Sequence, residues 1–343
     1  MRYLKYFENK SKYNTYFNSL TNIEDKENLL SSMDDTNDVY QQSPFTISMT
    51  ISLSSLTNTN CKVNGNFVTF TSTDEKYVYN YKTYDKVTSI NFAESDAIHD
   101  IVSIPNLPNT ITSLNGLFNK RSDLYAIECS NWDTSHVTNM SEVFCYLSNL
   151  SKLDISGWNT SNVTNMHYLF DTCNISSIDV SQWNTSKVTD MSGAFSDLYN
   201  IKSIDLKRWD TKNVTTLTGL FHACKVLEYA DLSTWQTPKL TSMRAMFQNC
   251  SQIVKIDLSN FDTSKVTDMY YLFGECSKLE SLDLSNFTVN GSGANFESLF
   301  YGCSSLNYIK CKQAFKDWCW ANQDKLYLPT AMRNGGSGKW DIV

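Results

Sequence analysis

No stretch of this chain approaches the roughly 18 consecutive apolar residues that a membrane-spanning helix requires. The first segment, MRYLKYFENKSKYNTYF, is interrupted throughout by charges and Asn. It lacks the apolar centre of a secretory signal peptide, and no lipoprotein-type Cys follows it. Synthesis and folding in a cytoplasm are therefore expected, with cell lysis as one route outward. Excess charge of one sign is also missing. The 29 basic and 36 acidic residues leave a net charge of −7, which favours solubility and gives no basic footprint for nucleic acid. The ten cysteines contain no C-x-x-C pair, which argues against zinc. A phosphate-binding Gly loop, a G-x-S-x-G elbow and a zinc-protease helix are all absent from the sequence. No catalytic residue, cofactor or metal is expected.

What the chain does have is a beat. An aromatic opening a Trp-Asn/Asp-Thr-Ser block falls at Trp132, Trp158, Trp183, Trp209, Trp235, Phe261 and Phe287. A second aromatic keeps the same interval at Phe118, Phe144, Phe170, Phe195, Phe221, Phe247, Phe273 and Phe300. A steady period of about 26 residues implies a solenoid, in which stacked units supply one another's core. The unit Leu150 to Cys173 shows the logic. Leu153 and Ile155 alternate with Lys152, Asp154 and Ser156, as in a strand with one face inward. Gly157 to Ser161 forms a corner held by short polar side chains. Val163 and Met166 point inward, and a short helical turn places Leu169, Phe170 and Cys173 on one side. Cys173, Cys224, Cys250, Cys276 and Cys303 each follow the repeat Phe by three residues, a slot that Leu147 and Leu198 share. A slot common to Cys and Leu is a core slot, so buried free thiols are expected there.

The fold class implied is a β-rich α/β solenoid. Residues 1–45 read as a leader or anchor, with Tyr13, Tyr16 and Phe17 on one face of a short helix. Residues 46–100 read as a small antiparallel β unit that caps the array. Its strands lie in FTISMTISL, NFVTFTST, YVYNYKTY and VTSINF, with a turn at Val63-Asn64-Gly65-Asn66. The array occupies 101–311. Residues 312–343 form a C-terminal cap, with a helix over 314–322 that lays Phe315, Trp318 and Cys319 on the last coil and leaves Trp320 off that face. Gly335 to Gly338 reads as a flexible turn before Trp340, a last anchor.

Three constellations invite a chemical reading. Asp154, Asp179, Asp205, Asp231, Asp257 and Asp283 share one outward slot. They either accept hydrogen bonds from the next corner, bridge a cation or meet a partner. The Trp ladder is either core packing, a stripe for sugar rings or another interface. His99, His136, His167 and His222 occupy different slots, and nothing pairs them with a nucleophile or a fixed carboxylate. Specificity is expected in variable outward positions. Before the aromatic these are Gly157, Gln182, Arg208, Thr234, Asn260 and Asn286. On the short turns they are Tyr168, Tyr270 and Tyr271, since exposed tyrosine gives contact area at low entropic cost.

The segments LDISGWNTSNVTNMHYLFDTC (153–173), IDVSQWNTSKVTDMSGAF (178–195) and IDLSNFDTSKVTDMYYLFGEC (256–276) resemble BspA-type leucine-rich-repeat surface proteins of bacteria. The resemblance implies a right-handed, leucine-rich-repeat-like coil stack used for adhesion or protein binding, without catalysis. The leader resembles N-terminal segments of structural or fibre proteins from phages of gut Bacteroidales. The matching residues are Lys5, Phe7, Tyr13 and Tyr16, then Asn37, Val39 and Tyr40. That likeness implies a virion-associated protein of fibre or decoration type. Phe7, Tyr13, Tyr16 and Phe17 would contact other virion proteins, and the solenoid would meet a host-surface protein or glycan, in a homo-oligomer as fibre proteins often are. The alternative placement is the bacterial cell surface, and a glycan-acting module is a third reading.

Overall fold

The computed structural model describes residues 46–50, 61–64, 67–71, 89–92, 100–101, 111–120, 122, 126–130, 132–288 and 294–343. From residue 100 onward they form a β-solenoid with few helices, and the described residues within 46–92 contribute a separate antiparallel sheet. The leader, including Phe7, Tyr13, Tyr16 and Phe17, and the YVYNYKTY strand lie outside the described residues.

Strands β1 (Thr46–Thr50), β2 (Cys61–Asn64), β3 (Phe67–Thr71) and β4 (Ser89–Phe92) make one antiparallel sheet in the order β2-β3-β1-β4. Asn64 sits opposite Phe67, so Val63 and Asn64 belong to strand β2 and the turn is tighter than the sequence suggests. In the solenoid every pairing is parallel. One sheet joins β5 (Asp100–Ile101), β6 (Ala126–Glu128) and β7 (Lys152–Asp154). A second joins β8 (Ser203–Ile204) and β9 (Tyr229–Ala230). A third joins β10 (Lys255–Asp257), β11 (Ser281–Leu284), β12 (Tyr308–Cys311) and β13 (Lys339–Ile342). Residues 174–180 form no strand. From Cys173 to Trp183 the chain has one residue fewer than from Leu147 to Trp158, so this coil cannot trace the same path along the sheet.

The opposite side of the coil is a run of turns, where the sequence suggested a short helix. Leu169 N donates to Met166 O (3.2 Å), and Cys173 N donates to Phe170 O (3.2 Å). The intervening amides point along the stack: Tyr168 N reaches Ser192 O (2.8 Å), Phe170 N reaches Ala194 O (3.0 Å) and Thr172 N reaches Ser196 O (3.1 Å). Amides thus alternate between a local turn and the next coil. That geometry places Tyr168 and Thr172 in the left-handed region, at φ 51° and 55°. The same two positions are left-handed at Glu142 and Tyr146, Ala245 and Asn249, and Tyr271 and Glu275. A non-glycine residue there costs about 1–2 kcal/mol. Inter-coil hydrogen bonds and core packing offset that cost in every coil.

Both aromatic series are core rungs. Trp132, Trp158, Trp183, Trp209, Trp235, Phe261 and Phe287 are buried, as is the Phe118 to Phe300 series. Trp209 and Trp235 stack with centroids 6.3 Å apart and planes 2° apart, and Phe144 and Phe170 are 5.3 Å apart. Each such pair adds about 0.5–1.5 kcal/mol beyond its area burial. Phe273 and Phe300 stand one residue further apart than Phe247 and Phe273, yet they keep this stacking at 5.9 Å, so register survives the longer coil. Threonine replaces an aliphatic residue at one buried slot because both its polar valences are used. Thr134 Oγ1 donates to Asn159 O (3.0 Å) and accepts from Asn159 N (2.8 Å). Thr160, Thr185, Thr211, Thr237 and Thr263 donate likewise one coil onward.

The C-terminal cap continues the coil's bonding. Ser298 N donates to Lys325 O (2.9 Å), Phe300 N to Leu326 O (3.0 Å) and Lys339 N to Asn307 O (2.7 Å). Helix α1 (Gln313–Ala321) buries Phe315 and Cys319, and Trp318 meets Phe296 edge-on at 4.8 Å. Trp320 does take part: it packs against the core, and its Nε1 donates to Met332 O (3.2 Å), beside Trp340 Nε1 on the same acceptor (3.1 Å).

Candidate binding surface

Burial of the Trp ladder removes it from the reach of a sugar ring. The Asp slot is occupied by short-range bonding. Ser156 N and Oγ donate to Asp154 Oδ1 (3.1 and 2.8 Å), and Ser181 N and Oγ donate to Asp179 Oδ1 (3.0 and 2.7 Å). The donors lie two residues onward in the same coil, so each Asp builds its own corner. Ser156 and Ser181 thereby hold Asp154 and Asp179 below the usual carboxylate range. At Asp231, Ser233 and Lys207 act together and lower the carboxyl to about 2. Among the described residues no group of three His, Cys, Asp or Glu side chains is placed to hold a metal ion.

The repeat cysteines are free and buried. Burial pushes the Cys224 and Cys303 thiols up to about 12. Cys224 Sγ donates to Phe195 O (2.9 Å) and Cys250 Sγ to Phe221 O (3.0 Å). These thiols are packing groups, Cys224 and Cys250 each bonding to a carbonyl of the preceding coil.

The positions before the aromatic form a side-chain ladder. Arg208 Nη1 donates to Gln182 Oε1 (2.6 Å), which joins two candidate residues directly. Thr234 Oγ1 donates to Lys207 O (2.7 Å), and Asn260 and Asn286 donate to Ser233 O and Ser259 O. Gly157 leaves no room for a side chain, since a Cβ there would lie 1.9 Å from Ser130 O. Gln182 and Arg208 remain solvent-exposed, but this slot's hydrogen bonds run from coil to coil.

The turn side is different. Its outward slots vary freely in chemistry while the rungs beneath them do not. Tyr168 lies here, 40% exposed, with its ring over Gly193, where a Cβ would come within 2.2 Å. Tyr270 and Tyr271 are half-buried and 4.6 Å apart, and the Arg244 guanidinium sits 4.2 Å above the Tyr270 ring. Two residues the sequence reading passed over complete the group. Tyr301 is 5.4 Å from Tyr271 and Tyr327 is 5.2 Å from Tyr301. Tyr301 stands one place after its repeat Phe and Tyr271 two before, so aligning the coils only by the aromatic did not bring them together.

A second turn-side group corrects the reading of the histidines. His222 Nδ1 lies 3.4 Å from Asp197 Oδ2, and Asp197 also accepts from Tyr199 OH (2.8 Å) and Ser196 Oγ (2.8 Å). Burial alone would raise Asp197, but these donors outweigh it and its carboxyl is lowered. The Asp197 bond carries Tyr199 up to about 12. Neighbouring Asp171 is raised, mainly by burial, and accepts from Cys145 Sγ (3.5 Å) and Thr172 Oγ1 (3.3 Å). Ser196 bonds to the carboxylate rather than to the histidine, so the trio lacks the order of a nucleophile activated by a base. The 25-residue separation of Asp197 and His222 was the available signal.

The chain belongs to the family described as Mycoplasma protein of unknown function, DUF285, which matches residues 112–226 and 189–318. No curated protein matches the chain. Among the described residues no helix is long and apolar enough to cross a membrane.

Proposed function

We propose that this protein is a non-enzymatic binding scaffold whose solenoid presents its turn side to a partner. One observation carries the reading: the buried rungs repeat their chemistry coil after coil, whereas the exposed turn positions above them change from coil to coil. A frame held constant under a varied surface suits recognition, because specificity can be altered without disturbing the core. The finer placement is virion-associated, of fibre or decoration type, with the solenoid directed at a host-surface protein or glycan. Support comes from the likeness of the leader to phage structural N-termini. Phe7, Tyr13, Tyr16 and Phe17 would then anchor it to other virion proteins. We take the coil to be a right-handed relative of the BspA-type leucine-rich repeat in which tandem turns stand where a helix would. That same likeness of the repeats favours a bacterial cell-surface adhesion protein as the second placement.

Fractionation of a lysed producing culture tests the placement. Co-sedimentation with particles, lost on deleting residues 1–45, is the expected result. Recovery with the cell envelope would favour the second placement, and recovery only as free soluble protein would overturn both. Turnover of a polysaccharide by the purified full chain would overturn the scaffold reading itself.

A further inference from the structure

The turn side carries exposed tyrosines at several points, but among the described residues they join into a row only near the C-terminal end. Tyr270, Tyr271, Tyr301 and Tyr327 follow one another at centroid separations of 4.6, 5.4 and 5.2 Å, from the last coils into the cap. Tyr301 is 36% exposed and Tyr327 50%. Their planes are tilted to one another by 46°, 42° and 79°, so the rings form notches instead of a flat platform. A flat platform suits stacked bases or sugar rings, whereas notched rings accept individual side chains. Charge narrows the choice further. Glu275 and Glu297 belong to the same turns: Glu275 N donates to Tyr301 O (2.6 Å) and Tyr271 N to Glu297 O (3.2 Å). Lys325 enters the same turns through Ser298 N, which donates to its carbonyl, so two acidic residues stand against one lysine. Acidic residues in the turns that carry the rings oppose a phosphate backbone and favour guanidinium, which can take a ring face and a carboxylate at once. The molecule itself shows both contacts on one guanidinium: Arg244 lies over Tyr270 at 4.2 Å, and its Nη1 is 3.6 Å from Asp268 Oδ2. The net charge of −7 acts in the same direction at longer range.

We propose that Tyr270, Tyr271, Tyr301 and Tyr327, flanked by Glu275 and Glu297, form the docking surface for a protein partner that presents arginine side chains. The proposal rests on the scaffold reading and adds to it a location and a partner chemistry. The test is calorimetric titration of the full chain with an arginine–serine repeat peptide, a glutamate–serine repeat peptide and a cello-oligosaccharide. The arginine peptide is expected to bind, and the other two are not. The double variant Tyr301→Ser/Tyr327→Asn is expected to bind it about tenfold more weakly, the loss of one or two contact residues of ordinary weight. Glu297→Lys, at an exposed position, should weaken it too. Tyr229→Ser on the strand side should match the parent. Equal affinity in the row variants and the parent overturns the proposal. So does failure of the parent to bind the arginine peptide, or preference for either other probe. Should the double variant unfold, Glu297→Lys and Tyr301→Phe decide, with weakened and near-parent binding expected respectively. If row variants lose the peptide but not attachment to particles or cells, the row is not the attachment surface and the scaffold reading stands. Polysaccharide turnover by the parent would bring down the scaffold reading instead.

Discussion

The strand side of the solenoid and its turn side both join coils through parallel backbone contacts, yet they respond differently to a change in coil length. On the turn side the bridges run from Ser113 to Asn139, Asn165, Asp190, Thr216, Ser242, Asp268 and Asn295 in unbroken sequence. They pass through the short coil between Trp158 and Trp183 without a missed step. On the strand side the ladder stops after β7 and resumes at β8. Trp183 Nε1 is buried there without a protein partner among the described residues, while Trp158 and Trp209 Nε1 donate to Cys129 O (2.9 Å) and Val180 O (3.0 Å). The ladder breaks again between β9 and β10, where coil length is unchanged. The lesson is that regular strands are not what keeps this solenoid in register; turns, buried threonines and aromatic rungs do so.

The contrast can be broken by mutation. Phe195→Ala removes a fully buried turn-side rung and is expected to cost about 3–5 kcal/mol in denaturant unfolding. Ile178→Ala, in the coil that forms no strand, should cost well under the roughly 2 kcal/mol at which buried Ile-to-Ala losses begin. Similar losses at the two sites would contradict the unequal roles. Next in size is Thr185→Val, which leaves Asp210 O without its 3.0 Å donor and should cost about 1–3 kcal/mol. A neutral outcome would mean that burial alone, not the hydrogen bond, selects threonine. Ala245→Gly works in the other direction. Its φ of 53° suits glycine, so a gain of up to about 1 kcal/mol is expected, measured as a higher Tm.

The smallest effects, below about 1 kcal/mol, separate the two sides by pH. Asp231 on the strand side has its carboxyl lowered to about 2. Its folded value lies below the unfolded one, so its stabilisation is complete above about pH 4 and is lost as pH falls toward 2. Asp171 on the turn side is raised by burial, so its ionisation opposes folding and protonation relieves that as pH falls. Asp231→Asn should therefore destabilise at neutral pH and converge on the parent in acid. Asp171→Asn should stabilise at neutral pH and likewise converge. Unfolding curves at two pH values check both signs, and like signs at neutral pH would sink the contrast.

The repeat, the buried rungs and the free thiols were legible because Trp/Phe and Cys/Leu exchange within fixed slots, a pattern only a core tolerates. The turn run was not. Leu169, Phe170 and Cys173 have helical spacing, and the left-handed residues between them are Tyr168 and Thr172, which carry no local mark of that conformation. Contacts with the next coil impose it. The surface was legible in part. Tyr270 and Tyr271 stood out as adjacent tyrosines, whereas Tyr301 and Tyr327 join them only after stacking, and His222 meets Asp197 only across coils.

The C-terminal cap presents to the last coil the same carbonyls, at Lys325 and Leu326, that a further coil would present, and β13 follows β12 as one coil's strand follows another. To the terminal coil, cap and coil are interchangeable docking partners. Whole units can therefore be added or removed ahead of residues 312–343 without altering the bonds that those residues make, so the length of the array is a variable that this architecture leaves free.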